Sequence, residues 1–240
     1  MRMFHRIWND TLSFSCIALL LPVLCLGALA QNPEGPPAST PADLATISFT
    51  LDFPNSVPDH YSFQVASDGR STYESKAKLS EESDDEDSFQ VSFVVSPATR
   101  EHIFDLAARA KYFHGEIDSR KKNLASTGKK TLSYHDRQRS TEATYNYSPL
   151  PAVQELTSLF QNMSMTMEFG RRLQYDHHYQ KLALDEELKR MEEMAKSDSL
   201  AELQAVASIL SKIVADTSVM NVVRARAQRL LELASEPAKH

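Results

Sequence analysis

Phe89-Gln90-Val91-Ser92-Phe93-Val94-Val95-Ser96-Pro97 is the stretch on which the fold turns. Phe89, Val91, Phe93 and Val95 recur every second residue, as a strand with one buried face requires. Ser96 and Pro97 then signal a change of structure. Serine is a favoured helix N-cap, and proline is preorganised for the first helical position. Strands gathered before this junction and helices concentrated after it describe an α+β chain rather than an alternating α/β one.

Upstream, Ile47, Phe49, Leu51 and Phe53 alternate until Pro54 and Pro58 interrupt them. Tyr61, Phe63 and Val65 alternate again, Asp68-Gly69 offers a tight hairpin turn, and a return strand is predicted over Ser71–Lys78. Four strands therefore precede the first helix, with Phe89–Val95 the strongest set.

Downstream, Ile103, Leu106, Ala107 and Ala110 recur at helical spacing up to Phe113, with Gly115 as the expected stop. Lys130–Asp136 and Thr141–Tyr147 read as a second hairpin. Pro149 and Pro151 open a helix carrying Val153, Leu156, Phe160, Met163 and Met167. Met163, Met165, Met167 and Phe169 also alternate by two, so a short strand is an alternative there, but helix is favoured because no turn residues separate the segment from what precedes it.

From Arg171 the chain reads as helical throughout, with Leu182, Asp185, Leu188, Met191 and Ala195 on one face. Ser197-Asp198-Ser199 breaks this helix, and Ser199 with Glu202 is predicted to form a capping box. Leu203, Val206, Leu210 and Ile213 stripe the next helix. Val219, Val222, Val223, Leu230 and Leu231 stripe the last, and Pro237 closes it. The expected architecture is an antiparallel sheet with two packed helices in the order ββββαββα, followed by a C-terminal helical region with an αα-hairpin. The α+β domain is expected over residues 44–168 and the helical region over 169–240.

The N-terminus has the zones of a cleavable secretory signal over residues 1–30. Arg2, His5 and Arg6 precede an apolar run from Leu12 to Leu26, and Ala28-Leu29-Ala30 supplies small residues for a peptidase. The uncharged stretch between Asp10 and Gln31 approaches the roughly 20 residues that span a bilayer, so a retained anchor is the rival reading. Pro22, and the lack of a following Lys/Arg cluster, favour cleavage and leave no membrane span behind. A Pro-rich linker is expected over residues 31–43.

Both cysteines, Cys16 and Cys25, fall inside the signal, so no disulfide, cysteine nucleophile or thiolate metal site is expected after cleavage. A disulfide-free exported domain suits a bacterial periplasm or exterior, and a periplasmic or secreted location follows. The net charge of −6 and the lack of a basic face argue against nucleic acid.

Several clusters invite chemistry. Glu81-Glu82-Ser83-Asp84-Asp85-Glu86-Asp87 is acidic but lacks the turn glycine and ligand spacing of a calcium loop, and reads as a solvated hairpin loop. His177 and His178, beside Asp176, point about 100° apart on a helix and cannot share one ion from there. The positions that would complete a metal pair hold Lys181 and Leu182. Ser133, His135 and Asp136 resemble a catalytic trio in type. On a strand, however, Asp136 would point away from the histidine it must orient. Lys121, Lys122, Lys129 and Lys130 flank a loop and read as solvated. Arg224, Arg226 and Arg229 complement the dipole of the last helix. With no nucleophile elbow, phosphate loop or dinucleotide fingerprint in the sequence, no catalytic, cofactor-binding or metal residue is assigned, and no cofactor is expected.

The segment from Ile47 to Phe160 resembles a domain of unknown function found in exported bacterial proteins. The matching features are Tyr61-Ser62-Phe63-Gln64-Val65, then Asp68-Gly69-Arg70-Ser71-Thr72-Tyr73, and Phe104-Asp105-Leu106-Ala107 ending in Tyr112-Phe113. Members of that family usually carry paired cysteines and a Cys-Pro before the first hairpin; Asn55-Ser56-Val57-Pro58 stands there instead. The tail resembles the ends of uncharacterised acidobacterial proteins in Asp216–Arg224 and in Ala227-Gln228-Arg229-Leu230-Leu231. The resemblance implies export and kinship but no activity. The expected function is therefore a non-enzymatic binding or protein-interaction module of a bacterial envelope, with an unknown protein partner or self-association through the C-terminal helices. The alternative is an inhibitor, or a hydrolase with an unrecognised carboxylate pair.

Overall fold

In the computed structural model, which describes residues 44–54, 56–77 and 87–235, the alternating segments pair into one sheet. Its strands are β1 (Thr46–Asp52), β2 (His60–Ala66), β3 (Arg70–Ala77), β4 (Asp87–Val94), β5 (Lys129–His135) and β6 (Ser140–Tyr145). All neighbours are antiparallel, in the order β4-β3-β2-β1-β5-β6. Five helices follow the sequence pattern: α1 (Pro97–Arg109), α2 (Pro151–Tyr179), α3 (Leu184–Lys196), α4 (Ala207–Ala215) and α5 (Asn221–Ser235). The expected signal, the Pro-rich arm and the acidic residues Glu81–Glu86 lie outside the described residues. Among the described residues, no helix is long and apolar enough to cross a membrane.

Alternation fixes which face is buried. Ile47, Phe49, Leu51, Tyr61, Phe63, Val65, Leu132 and Tyr145 all lie under α1 and α2. Phe160 of α2 is the centre of this layer, stacked on Phe49 at 5.1 Å and tilted on Phe63 at 5.4 Å. A buried aromatic of this kind contributes about 2–3 kcal/mol by area alone. Further along α2, Phe169 and Leu173 leave the sheet. They join Leu184, Leu188, Met191, Leu210, Ile213, Val223 and Leu230 in a second apolar cluster. One helix thus serves two cores.

Four details differ from the sequence reading. The strongest alternating set, in β4, lies at the sheet edge, where Phe89, Val91 and Phe93 are only half-buried. β3 is interior, although Ser71 and Ser75 accompany Tyr73 on its buried face. Next, α2 runs through Met163–Phe169 as the favoured helix, but after Tyr179 the chain turns at Gln180–Ala183 instead of staying helical throughout. That turn leaves Leu182 83% exposed and starts the buried face of α3 at Leu184. Finally, the predicted capping box does not form. Ser199 faces Ser197, while the Glu202 carboxylate accepts from the Ser96 backbone N–H and hydroxyl, each at 2.8 Å. The acid expected to cap its own helix instead buttresses the N-cap of α1. Ser96 keeps its predicted role, accepting from the Thr99 N–H.

Candidate functional site

The face of the sheet turned away from the helices is covered by no described element. Its side chains follow from the strand registers. One row crosses all six strands as Ser92, Thr72, Gln64, Ser48, Ser133 and Glu142. The next reads Gln90, Glu74, Ser62, Thr50, Thr131 and Thr144. Neighbours in a row stand about 4.8 Å apart and the rows about 7 Å apart. Two members of the twelve are charged, and none is aromatic. Local bonds tie Gln90 Nε2 to Glu74 at 2.8 Å and Thr131 to Thr144 at 3.1 Å, leaving most of these groups facing solvent. Charge gathers one row further along, where His60 Nδ1 meets Asp52 at 2.6 Å. At the β4 corner the face deepens into a groove of about 520 Å³ lined by Leu44, Gln64, Arg70, Thr72, Ser92 and Val94.

Beneath the sheet the polar groups are already engaged. Glu168 of α2 is 3% exposed and accepts from the Tyr73 hydroxyl at 2.9 Å and the Ser75 hydroxyl at 2.6 Å. Ser164 meets Tyr73 at 3.1 Å, and Arg171 Nε lies 3.7 Å from Glu168. Burial, with the Glu168 charge beside it, drives the Tyr73 phenol far above its ordinary range, so it stays a donor. A serine on a carboxylate resembles a nucleophile with its base, but Ser75 is 2% exposed and no substrate reaches it. This network ties β3 to α2.

Lys130 is similarly enclosed. It projects inward from β5 and donates to the Thr127 carbonyl (2.9 Å), the Thr127 hydroxyl (2.8 Å), the Gly128 carbonyl (3.2 Å) and the Asn146 carbonyl (3.0 Å). Burial pushes its pKa downward. Of the four lysines read as solvated, this one is 3% exposed and locks the preceding loop onto β6.

The remaining sequence candidates separate in space. Ser133 sits on the open face, while Asp136 accepts from the Tyr134 hydroxyl at 2.9 Å and from the Gln138 and Arg139 N–H groups of its own turn. Burial, with that bond, pushes the Tyr134 phenol up to about 12. His177 Nε2 contacts Asp216 at 3.0 Å, an acid also held by Lys181 at 2.6 Å. His178 packs edge-on to Tyr179. Among the described residues, no three His, Cys, Asp or Glu side chains converge as metal ligands. Arg226 joins Asp185 and Glu192 at 2.9 Å each, and Arg229 joins Glu192 at 2.7 Å, so these arginines cross-link α3 and α5. Asp176 and Glu187 form a carboxylate pair, and burial and the Glu187 charge raise the Asp176 pKa. Glu187, however, is engaged by Arg172 and Arg190. Sequence reasoning missed the open face because its rows are assembled across strands; the signal was the run of Ser, Thr and Gln at the non-apolar positions of each strand.

No family model matches the chain, and no curated protein matches it either.

Proposed function

We propose that this chain is an exported protein of a bacterial envelope that acts by binding rather than by catalysis, with the open sheet face as its working surface. The single observation that carries the reading is the pair of Ser/Thr/Gln rows across six strands, covered by no described element and nearly uncharged, while the polar groups below are occupied by one another. A partner fitting that face is itself uncharged and rich in hydrogen-bonding groups. A charged partner would gain little there, and an aromatic-stacking ligand would find no ring. The N-terminal signal pattern and the resemblance to exported bacterial domains support the location. We read the whole as a ββββαββα unit extended by a C-terminal helical hairpin, with a periplasmic or secreted mature form.

The test is capture from native envelope extract. The wild-type protein should retain a partner that the triple variant Thr50→Lys, Ser62→Lys, Thr72→Lys does not, with both proteins equally folded. Equal retention by both would reject the face as the site. A hydrolytic activity that depends on Asp176 or Glu187 would replace the binding reading with the carboxylate-pair alternative.

A further inference from the structure

The two edges of the sheet are not alike. At the β6 edge, Thr141 Oγ1 donates to the Tyr112 carbonyl at 2.5 Å, the Ser119 N–H to the Tyr147 carbonyl at 2.8 Å, and the Asn146 N–H to Asp118 at 2.6 Å. The segment after α1 therefore packs against the flank of β6 and engages the backbone just past its end. Among the described residues β4 has no such cover. Asp87 opens the strand, but from Ser88 to Val95 it contains no proline, lysine, arginine or acid, and its pairing with β3 runs without a bulge from Arg70↔Val94 to Ala77↔Asp87. Natural sheets normally blunt an edge with one of those devices.

The direction of the free groups follows from one bond. The Val95 N–H donates to the Gly69 carbonyl at 3.0 Å, so odd-numbered residues of β4 point their backbone groups at β3. By the alternation of an antiparallel strand, Ser88, Gln90, Ser92 and Val94 aim theirs outward.

We infer that the β4 edge pairs with β4 of a second copy of this chain, antiparallel about a two-fold axis at Val91. That register is the one in which all four outward-facing residues of both copies find partners: Gln90 opposite Ser92, and Ser88 opposite Val94, each pair occurring twice. It forms about eight hydrogen bonds, two per narrow pair. On the helix side Val91 meets its own copy and Phe89 meets Phe93, so half-buried apolar groups cover one another. On the open side the Gln90 amide meets the Ser92 hydroxyl and Ser88 meets Val94, and no like charges oppose. A recess of about 100 Å³ bordered by Phe89, Val91, Gly170 and Ile209 lies beside the same edge. An isologous contact of this kind closes on itself and stops at two. It also makes each hydroxyl row of one copy run on into the other row of its partner. The pairing rests on the edge alone, and only this extension rests on the proposed role of the open face.

Sedimentation velocity on protein recovered from expression of the full chain tests the pairing. The expected mass is twice that of one chain, falling to a single chain in Ser92→Pro, which removes an outward N–H and leaves the β3–β4 bonds intact. Gln90→Lys with Ser92→Lys sets two lysine pairs face to face. It should dissociate the dimer at low salt and restore it partly at high salt. In a chain with Cys16 and Cys25 replaced by serine, Val91→Cys should form an inter-chain disulfide under mild oxidation. A wild-type monomer at all concentrations would overturn the inference. So would a dimer indifferent to the β4 variants but broken by Leu182→Lys or Val222→Lys on the helical region.

Discussion

Gly170 lies inside a 29-residue helix, where glycine is normally a liability. Replacing it with alanine should gain about 1 kcal/mol from helix propensity alone. The surroundings reverse that expectation. A Cβ built on Gly170 would stand 2.5 Å from Val206 Cγ1, closer than real carbons approach, and in contact with Val206 Cβ at 3.4 Å. Val206 is 6% exposed and β-branched, so it has little freedom to turn away. Overpacking of this size costs roughly 2–3 kcal/mol, which leaves Gly170→Ala destabilised by about 1–2 kcal/mol net. Val206→Ala alone should cost about 2 kcal/mol by emptying a buried site. Combined, the two changes relieve each other: the clash disappears, the new methyl fills part of the gap and the propensity gain remains. The double variant should lie within about 1 kcal/mol of wild type, a coupling of some 2–3 kcal/mol. Urea unfolding followed by circular dichroism measures all four corners. A Gly170→Ala protein more stable than wild type, or additive losses in the double variant, would show that the close approach of α2 to residues 203–206 does not require a glycine.

Glu168→Ala should destabilise by about 3–4 kcal/mol, because it removes the acceptor of the buried Tyr73 and Ser75 hydroxyls and the carboxylate beside buried Arg171. Glu168→Gln, which still accepts from both hydroxyls, should lose clearly less, and equal losses in denaturant titrations would reject the network. Lys130→Met should cost about 2–4 kcal/mol and speed amide exchange in residues 115–128, because the carbonyls of Thr127, Gly128 and Asn146 lose their shared donor. Lys129→Met, on the exposed face, should stay within about 0.5 kcal/mol. Acid should also loosen the helical region. Hydrogen bonds from Lys181 and Ser218 hold Asp216 well below the carboxylate range; bonds from Arg229 and Arg226 outweigh burial to lower Glu192. Groups depressed in the folded state contribute stability in full above their unfolded pKa, near pH 4, and lose it as pH falls through the folded value. Asp176, raised by burial and Glu187, titrates with the opposite sign. Thermal melts of Asp216→Asn should therefore show a flatter decline than wild type below about pH 4, and an unchanged slope would remove Asp216 from the account.

Period-two and period-3.6 patterns located the elements because each face is chosen by burial, which a local window can register. What a window cannot register is which element becomes an edge. Phe89–Val95 has the cleanest alternation in the chain, yet it is half-exposed in β4, while Ser75 is buried in β3 with its hydroxyl on Glu168, 93 residues away. The same distance defeated the capping box. Ser199 and Glu202 have the right spacing, but Ser96 offers Glu202 two donors from 106 residues upstream, and the local bond loses. Lys130 looked solvated for the same reason, since its acceptors are backbone carbonyls that composition does not reveal.

The open face was illegible for a more general cause. Its twelve residues come from six strands, and only the register decides that Ser48 stands between Gln64 and Ser133 rather than one step to either side. Register is set on the opposite face, because a slip of one residue would turn Phe49, Phe63 and Leu132 to solvent. The apolar core thus fixes the geometry of a polar surface it never touches. It leaves the identity of those surface residues free, since exposed substitutions on a sheet alter stability by only a few tenths of a kcal/mol. Lysine or glutamate would keep such a face soluble at little cost, and the chain uses lysine on the adjoining row, at Lys76 and Lys129. Ten uncharged hydrogen-bonding side chains on the two central rows are therefore not what solubility or the core demands. The proposed recognition of an uncharged partner would account for them.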